Sequence, residues 1–550
     1  MRLLRVYIDG YRNLKNVTVD FDKGSLTTVV IGENGSGKSN LIEAIVEVFR
    51  AWTLGVQKEL RFRYSIFYVQ RGVKIQVRSD DGLAFDTDAN PELKTHVRLD
   101  QLATTRMPGP IIADPDKPDD IVSEFFPDFI FGYYSGSGRR LEKLFDAHQS
   151  RYYARINKAR PEAEYEEARE ARSLFYCRPI HGVLGLFSYL AKPGKDNDAK
   201  ALLTEKLGIT GFHSALAHFK EPSWFPGSKV AAVREAGNVW GAHGPAGKCA
   251  RALKDAAFHP LELEGTVVDD YRRKASKEAQ LACFLRDEKA LSAFAANYES
   301  DQDLFAALEA ADISDLFREM IVWVTRKDDA TGDISFSDLS DGERQLLMVL
   351  GMIRVSRGKE ALFLLDEPDT HLNPAWQLTY LDLIREWTEV AADEDKCQII
   401  MTTHNPLTIA ALTKKEVRVM QMADDGQVKV SEPYADPRGL GFTSTLTEIF
   451  GLPTTLDPET QKQIDERNRL ARLEERSDQQ ERELIAINDR LDRLGFMHES
   501  RDPLYDDFLK AVHDVKYADR PPMSQDQIEK RRLAMQALIK SLTEEKGKAH

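Results

Sequence analysis

The twelve residues "VVIGENGSGKSN", numbers 29–40, constrain this 550-residue chain more than any other stretch. They follow an apolar run typical of a buried strand and lead into the amphipathic run "NLIEAIVEVFRAW". This pattern predicts a phosphate-binding loop, in which glycines allow tight turns and backbone N–H groups face the phosphates of ATP. The expected contacts are Gly32, Asn34, Gly35, Ser36, Gly37, Lys38, Ser39 and Asn40. Lys38 would add a positive charge beside the β- and γ-phosphates, and the Ser39 hydroxyl would bind Mg²⁺.

Two further apolar runs end in side chains that suit ATP hydrolysis. "ALFLLDEPD" ends in Asp366, which stands where a magnesium ligand belongs, and in Glu367, which could act as a general base on water. "CQIIMTTHNP" carries His404 at its end, in the position of a γ-phosphate sensor. Acids and histidines at strand ends are often only structural or solvated, so these roles depend on the rest of the motif set.

The stretch "FSDLSDGERQLL", numbers 336–347, predicts the start of a helix. Ser340 would cap the helix and Glu343 would complete a capping box. Most Ser-x-x-Glu sequences are explained by such a helix cap alone, so this pattern does not by itself imply a ligand.

The chain resembles ABC-type ATPases in the order of its motifs. These are the phosphate loop, the helix that begins at Ser340, the acid pair and the histidine. In that superfamily the signature, here "LSDGE", contacts the γ-phosphate held by a second subunit. The resemblance therefore implies that Ser340, Gly342 and Glu343 complete a partner's ATP site. It also implies a head-to-head dimer, or a higher oligomer built from such dimers, with two composite sites.

The predicted fold is an α/β ATPase head made of residues 1–145 and 320–450. A mostly helical insertion, 146–319, splits the head. A coiled-coil helix over 455–495 and a helical tail over 496–550 follow. The coiled-coil prediction rests on steps of three and four residues between Leu470, Leu473, Ser477, Gln480, Leu484, Ile487, Leu491 and Leu494. As one helix the segment from Asp457 to Leu494 would span roughly 57 Å; the alternative is a single amphipathic helix packed on its own head.

Composition narrows the class of protein. The formal charge of −14 argues against an overall nucleic-acid coat. No apolar run approaches the roughly 20 residues that a membrane span needs, and the start of the chain does not look like a signal peptide. Four scattered cysteines suggest neither a disulfide framework nor a zinc site. The expectation is a soluble cytoplasmic protein without a membrane partner.

Two further segments partly match motifs for binding phosphate or nucleic acid. "GAHGPAGKC", numbers 241–249, resembles a second phosphate loop, but its spacing is wrong and it ends in cysteine, so we expect a structural turn. "RYYARINKAR", numbers 151–160, mixes basic and aromatic residues as a nucleic-acid surface does. A solvated helix face or a linker is the alternative for that segment.

The segments "GYRNLKNVTVDF", "TTHNP" and "YYSGSGRRLEKLF" resemble the RecF-like and OLD-like branch of soluble ABC-type ATPases. Within it, "ARSLFYCRPIHGVLGLF" and "RLDRLGFMHESRDPLYDDFL" look most like the PtuA family of Septu and retron antiphage defence systems. This resemblance implies a partner HNH nuclease, PtuB, and in retrons also a reverse transcriptase with its msDNA. Arg12 falls where relatives have an arginine near the nucleotide. Gln70 is a candidate for the glutamine loop.

Other ABC-type classes fit less well. Transporter heads seldom carry so large an insertion, and chromosome ATPases place heptads between phosphate loop and acid pair, where this chain has no sustained heptads. OLD-type nucleases need a TOPRIM domain after the histidine, for which this sequence shows no acids in the required pattern. An ATPase of DNA repair or recombination, similar to RecF, remains the alternative function.

Overall fold

The computed structural model describes residues 1–494 apart from a set of gaps. The gaps are 57–58, 80–81, 88–89, 99–125, 159, 171, 194–196, 226–238, 268–271, 273–274, 329–330, 333, 392–395, 424–425, 453 and 474–475. The chain forms two compact units, Met1–Gly451 and a second that begins at Leu452. None of the described helices is both long and apolar enough to cross a membrane.

A seven-stranded sheet lies at the centre of the first unit, and all its pairings but one are parallel. In spatial order its strands are Val428–Ser431, Val417–Met422, Thr27–Gly32, Cys397–Thr402, Ala361–Asp366, Phe129–Tyr134 and Leu174–Tyr176. The loop strand Thr27–Gly32, the acid strand Ala361–Asp366 and the histidine strand Cys397–Thr402 are buried at every residue. Strands covered on both faces have continuous apolar sequences, so the three predicted buried strands are confirmed.

The register of this sheet brings the carboxyl ends of the buried strands together. Asp366 pairs with Thr402 on one side and with Tyr134 on the other. Thr402 in turn pairs with Val30, just before the phosphate loop. Ligands of open α/β sheets bind beyond the carboxyl ends of the strands. The fold therefore collects the phosphate loop, the acid pair and His404 at one edge.

The loop helix, Lys38–Leu54, lies between the central sheet and a second, antiparallel sheet of six strands. The strands of that sheet are Val17–Asp20, Arg2–Asp9, Arg63–Gln70, Val73–Arg78, Gly82–Thr87 and Asn90–Arg98. Ile42, Ile45 and Phe49 of the helix share one apolar core with residues of both sheets. Because it is covered from two sides, the helix is buried over most of its surface and not on a single face. At the start of the chain, Arg2–Asp9 and Val17–Asp20 form an antiparallel strand pair.

Between the two halves of the head, helices predominate as predicted. They are Asp146–Ile156, Glu162–Glu170, Pro179–Ala191, Asn197–Lys206, Gly244–Ala256, Glu288–Ala295 and Asp301–Ile313. Only residues 241–243 of the segment 241–249 form the expected turn, and the others, including fully buried Cys249, belong to the helix Gly244–Ala256. Tyr152 and Ile156, in the basic-aromatic segment, are core residues of the helix Asp146–Ile156, so part of this segment packs inside the protein and is neither a solvated face nor a nucleic-acid surface.

This region also shares a five-stranded antiparallel sheet with the start of the second half of the head, and the sequence analysis missed the three strands that lie wholly within 146–319. Its strands are Leu261–Val267, Ser276–Leu285, Ile209–Lys220, Phe317–Arg326 and Ile334–Ser335, in spatial order. "SKEAQLACFL" is rich in residues with good helix propensity, whereas "ITGFHSALAHFK" mixes a few of them with poorer helix formers. They form strands because alternate residues, such as Ala215, Ala217 and Phe219, enter the core. Tertiary burial outweighs local preference here.

The rest of the head is helical and connects the strands of the central sheet. The signature helix is Asp341–Val355, and the helix Pro374–Ala391 links the acid and histidine strands. Short helical turns follow at Pro406–Ile409, Gly441–Ser444 and Thr445–Ile449, and 3₁₀ turns lie at Glu142–Leu144, Phe336–Asp338 and Lys414–Glu416.

The second unit corrects the prediction of one long coiled-coil helix over 455–495. Its described residues form two helices, Pro458–Ala471 and Asp478–Arg493, which pack on each other around Leu470, Ile487 and Leu491. The break falls at the polar positions of the heptad pattern. There, Ser477 Oγ accepts a bond from the Gln480 N–H and the Gln480 side chain accepts one from the Ser477 N–H, which starts a new helix. The predicted tail over 496–550 lies outside the described residues.

Candidate nucleotide-binding site

The phosphate loop follows a path that favours glycine at three positions. Gly32, Gly35 and Gly37 have φ angles of +152°, +85° and +100°, which side chains rarely allow. A Cβ on Gly32 would also lie 2.0 Å from the carbonyl oxygen of Met420. Gly37 precedes the loop helix directly. The unpaired N–H groups at this helix start therefore face the loop and can receive an anion.

Lys38 is buried beneath the loop. Its Nζ donates hydrogen bonds to the carbonyl oxygens of Gly32 at 2.9 Å and Glu33 at 3.0 Å. Burial lowers the pKa of its ammonium from 10.5 to about 8, although Glu367 and Asp366 act in the opposite direction. The lysine is thus held inside the loop with a charge that titrates in an accessible pH range.

Nucleotide affinity should consequently fall as the pH rises above about 8. Below that pH Lys38 is protonated, whereas above it the free protein must take up a proton before the ammonium can meet phosphate. We expect the loss to approach tenfold per pH unit, together with proton uptake on binding. Calorimetry between pH 7 and 9.5, in buffers of different ionisation enthalpy, measures both quantities. The variant Lys38→Ala should bind weakly without this pH step; a flat wild-type profile would contradict the assignment.

The other predicted loop residues occupy different depths. Asn34 is exposed at the tip of the loop, and Ser36 is buried. The Ser36 Oγ has no hydrogen-bond partner among the described residues. Asn40 lies in the first turn of the loop helix and is bonded to Asn13, which itself donates to the carbonyl oxygen of Gly35 at 2.8 Å. Asn13 thus connects the helix to the loop, a contact that the sequence analysis did not anticipate.

Ser39 and Asp366 meet although they are far apart in sequence. The Ser39 Oγ lies 3.1 Å from Asp366 Oδ1, and the Thr402 hydroxyl donates to the same carboxylate oxygen. Burial raises the pKa of Asp366, although the hydrogen bonds from Thr402 and Ser39 act in the opposite direction. Two hard oxygen donors beside a phosphate loop are the ligand type that Mg²⁺ prefers, so the pair fits a magnesium ion. Thr402 is an addition to the predicted set.

Glu367 and His404 also come together. His404 Nε2 lies 2.8 Å from Glu367 Oε1, and this bond lowers the pKa of the carboxyl. Glu367 has a φ of +54°, and its N–H bonds to the carbonyl and hydroxyl oxygens of Thr402. This left-handed backbone is costly for a non-glycine residue. It orients the Glu367 side chain differently from Asp366, so the two acids have separate surroundings.

Ser340 begins the signature helix with the predicted capping box. Its Oγ accepts from the Glu343 N–H at 3.3 Å, and its own N–H donates to Glu343 Oε2 at 2.9 Å. A Cβ on Gly342 would lie 3.0 Å from the carbonyl oxygen of His371, so the helix start packs against the segment that follows the acid pair. Among the described residues, no hydrogen bond or ion pair joins 340–343 to the phosphate loop.

Arg12 lies beside the loop helix, together with an arginine that the sequence analysis did not assign. Arg12 Nη2 and Arg140 Nε bind the two oxygens of buried Glu43 at 2.8 and 2.6 Å. Arg140 comes from the "SGSGRR" segment, 97 residues further along the chain than Glu43. Gln70, by contrast, is buried in the antiparallel sheet opposite Val73. Its position gives no support for a glutamine loop there.

Two family models match parts of the chain. One, described as "AAA ATPase domain", matches residues 1–87. The other, described as "AAA domain, putative AbiEii toxin, Type IV TA system", matches residues 267–410. The first match contains the phosphate loop. The second contains the signature, the acid pair and His404.

Three curated relatives match shorter stretches. The Septu protein PtuA of Bacillus mycoides is 26% identical over 164 residues, covering 28% of this chain and 22% of the relative. The Septu protein PtuA of Bacillus thuringiensis is 29% identical over 162 residues, covering 25% and 39%. A retron Vc95 protein of Vibrio cholerae, named a probable ATPase, is 25% identical over 125 residues, covering 21% and 23%. The chain thus spans about a fifth to two fifths of the length of these relatives.

The solved structures that match this chain include an SMC head domain and the recombination mediator protein RecF. The SMC head domain from Thermotoga maritima has a TM-score of 0.30 and 12% identity, over 78% of this chain and 99% of that one. A RecF–ATP structure has a TM-score of 0.26 and 13% identity, over 78% and 97%.

Proposed function

We propose that this chain, an ABC-type P-loop ATPase similar in part to the PtuA proteins of Septu systems, hydrolyses ATP to control a partner nuclease in antiphage defence. The observation that carries the ATPase part is the convergence of separated motifs at one sheet edge. Lys38, the Ser39–Asp366 pair and the Glu367–His404 pair lie within this single region. These side chains come from distant parts of the sequence, and an ATP site accounts for their meeting.

Each residue has a distinct part in the proposed reaction. Lys38 and the loop N–H groups bind the β- and γ-phosphates, and Ser39 and Asp366 would hold Mg²⁺, which offsets phosphate charge. Glu367 accepts a proton from the attacking water. His404, at 2.8 Å from Glu367 Oε1, positions that carboxylate, and it would sense the γ-phosphate. Ser340 and Gly342 serve the site of a second subunit in a head-to-head dimer.

The names of the relatives support the biological part of the proposal. Two are Septu proteins and one belongs to a retron. We therefore infer a partner HNH nuclease of the PtuB type, joined in a retron by reverse transcriptase and msDNA. The large region between the halves of the head and the helical pair after Leu452 offer surfaces for such partners. Nucleotide control requires that the partner bind the ATP-bound and nucleotide-free states unequally.

Co-purification with an HNH nuclease encoded beside this chain tests the partnership. We expect the nuclease to bind Glu367→Gln with ATP and Lys38→Ala with affinities that differ by about fivefold or more, because the two variants hold opposite nucleotide states. Titration of labelled nuclease measures the difference, and exposed Asp382→Asn serves as a matched charge control. Equal affinities would contradict nucleotide control. Failure to bind in either state would refute the partnership and leave the ATPase assignment to its own tests.

A further inference from the structure

A group of charged side chains beside the phosphate loop has no part in the mechanism above. Its centre is Glu43 of the loop helix, only 3% exposed. Arg140 binds one Glu43 oxygen at 2.6 Å, and Arg12 binds the other at 2.8 Å. Both arginines also donate to Asn40 Oδ1, at 2.7 Å from Arg140 Nη2 and 3.1 Å from Arg12 Nη1. Two guanidinium groups thus share the same two acceptors.

This arrangement leaves positive charge and hydrogen-bond donors unused. Glu43 carries one negative charge and Asn40 is neutral, so the four side chains together have a net charge of +1. The side chains of Arg140 and Arg12 are 54% and 41% exposed. A guanidinium has five N–H donors, and the bonds to Glu43 and Asn40 use only some of them. The remaining donors can bind an anion bidentately.

The group lies beside the path of a bound nucleotide. Asn40 comes two residues after Lys38, in the first turn of the helix whose N-terminus faces the phosphates. At the other end of the Arg140 segment, the Ser135 N–H donates to the carbonyl oxygen of Asp366 at 3.2 Å. Residues 135–140 therefore bridge the magnesium-ligand strand and the loop helix.

We propose that Arg140 is a nucleotide-binding residue that contacts the α-phosphate of ATP, next to Arg12. Lys38 would contact the β- and γ-phosphates. The two arginines are bonded to Asn40, two residues further along the helix, which is the side on which we expect the α-phosphate. Glu43 binds both arginines and so competes with phosphate for their donors. This inference rests on the proposed function, since it concerns the same ATP site.

The variant Arg140→Ala tests the contact. We expect Kd for ATP and for ADP to rise by the same factor, about tenfold or more, because both nucleotides carry the α-phosphate and a hydrogen bond to a charged group is lost. Arg140→Lys should recover part of the affinity, since it restores charge without the planar fork. Arg139→Ala is the matched control: this neighbour is 60% exposed and pairs with Glu142 and Asp146. It should leave both constants unchanged.

A second variant separates binding from a purely structural role. Glu43→Gln removes the carboxylate charge and leaves both arginines, so it should tighten ATP and ADP binding several-fold. If Arg140 only braces the loop helix, Arg140→Ala would lower the Tm of the nucleotide-free protein and Glu43→Gln would weaken nucleotide binding. That pair of results would overturn the proposal, and so would a loss confined to ATP or unchanged constants. Absence of ATP binding by the wild type would instead refute the proposed function.

Discussion

Replacing Glu367 by glutamine is expected to lower the rate of ATP hydrolysis by about 10²–10⁴-fold while ATP binding is retained. The amide keeps the size of the side chain and its contact with His404, which lies 2.8 Å away. It cannot accept a proton from the attacking water. The phosphate contacts of Lys38 and the oxygen pair Ser39–Asp366 are untouched, since each is built from other side chains. The closed, ATP-bound dimer should therefore accumulate.

Two measurements check this outcome in one preparation. Single-turnover hydrolysis reports the chemical step, and size-exclusion chromatography with light scattering reports the dimer in the presence of Mg-ATP. Asp382→Asn makes the same change of charge at an exposed carboxylate that pairs with Arg385, and it should behave as wild type. Hydrolysis by Glu367→Gln at the wild-type rate would remove Glu367 from the mechanism.

The separate surroundings of the two acids explain why Glu367, and not Asp366, is assigned as the base. Asp366 is 4% exposed, and one of its oxygens accepts from the hydroxyls of Ser39 and Thr402. Glu367 is less buried and is bonded to His404, which lowers its pKa and keeps it ionised. An ionised, accessible carboxylate can receive a proton, whereas a buried one between hydroxyl groups suits a metal ion.

Most of the predicted head follows from local patterns in the sequence. Continuous apolar runs predicted the three buried strands, and the glycines at 32, 35 and 37 predicted the loop. Parallel pairing then places their carboxyl ends at one edge. These features need little information from the rest of the chain.

What the sequence analysis missed depends on burial or on distant contacts. The strand Ser276–Leu285 has a helix-forming composition and becomes a strand through its neighbours. Arg140 meets Glu43 only because residues 135–140 cross from the central sheet to the loop helix. The break at Ser477, however, carries the same capping signature as Ser340 and was open to prediction. The heptad spacing of the apolar residues continues across this break, so it predicted one helix where the Ser477–Gln480 capping box begins a second one.

Mixing two inactive variants, Lys38→Ala and Ser340→Arg, is expected to recover ATPase activity. The hydrogen bonds of Ser340 run to Glu343, and no bond among the described residues joins 340–343 to its own phosphate loop. If Ser340 instead serves the loop of the partner, a mixed dimer contains one site with both changes and one intact site. Random pairing of equal amounts makes half of the dimers mixed, so about a quarter of the wild-type rate should return. Steady-state assays at increasing ratios of the two variants measure the recovery.

A second mixture serves as the matched control, because its two residues belong to the same half of the site. Lys38 and Glu367 lie close enough in one chain for the Glu367 carboxylate to raise the pKa of the lysine. In a mixed dimer of Lys38→Ala and Glu367→Gln, each site therefore carries one change and neither is intact. This mixture should stay inactive while the Lys38→Ala and Ser340→Arg mixture recovers. If mixed dimers form, as shown by differently tagged chains, and neither mixture recovers, then Ser340 does not act across a subunit interface. Equal recovery by both would mean that Lys38 and Glu367 serve different sites, contrary to the arrangement at the sheet edge.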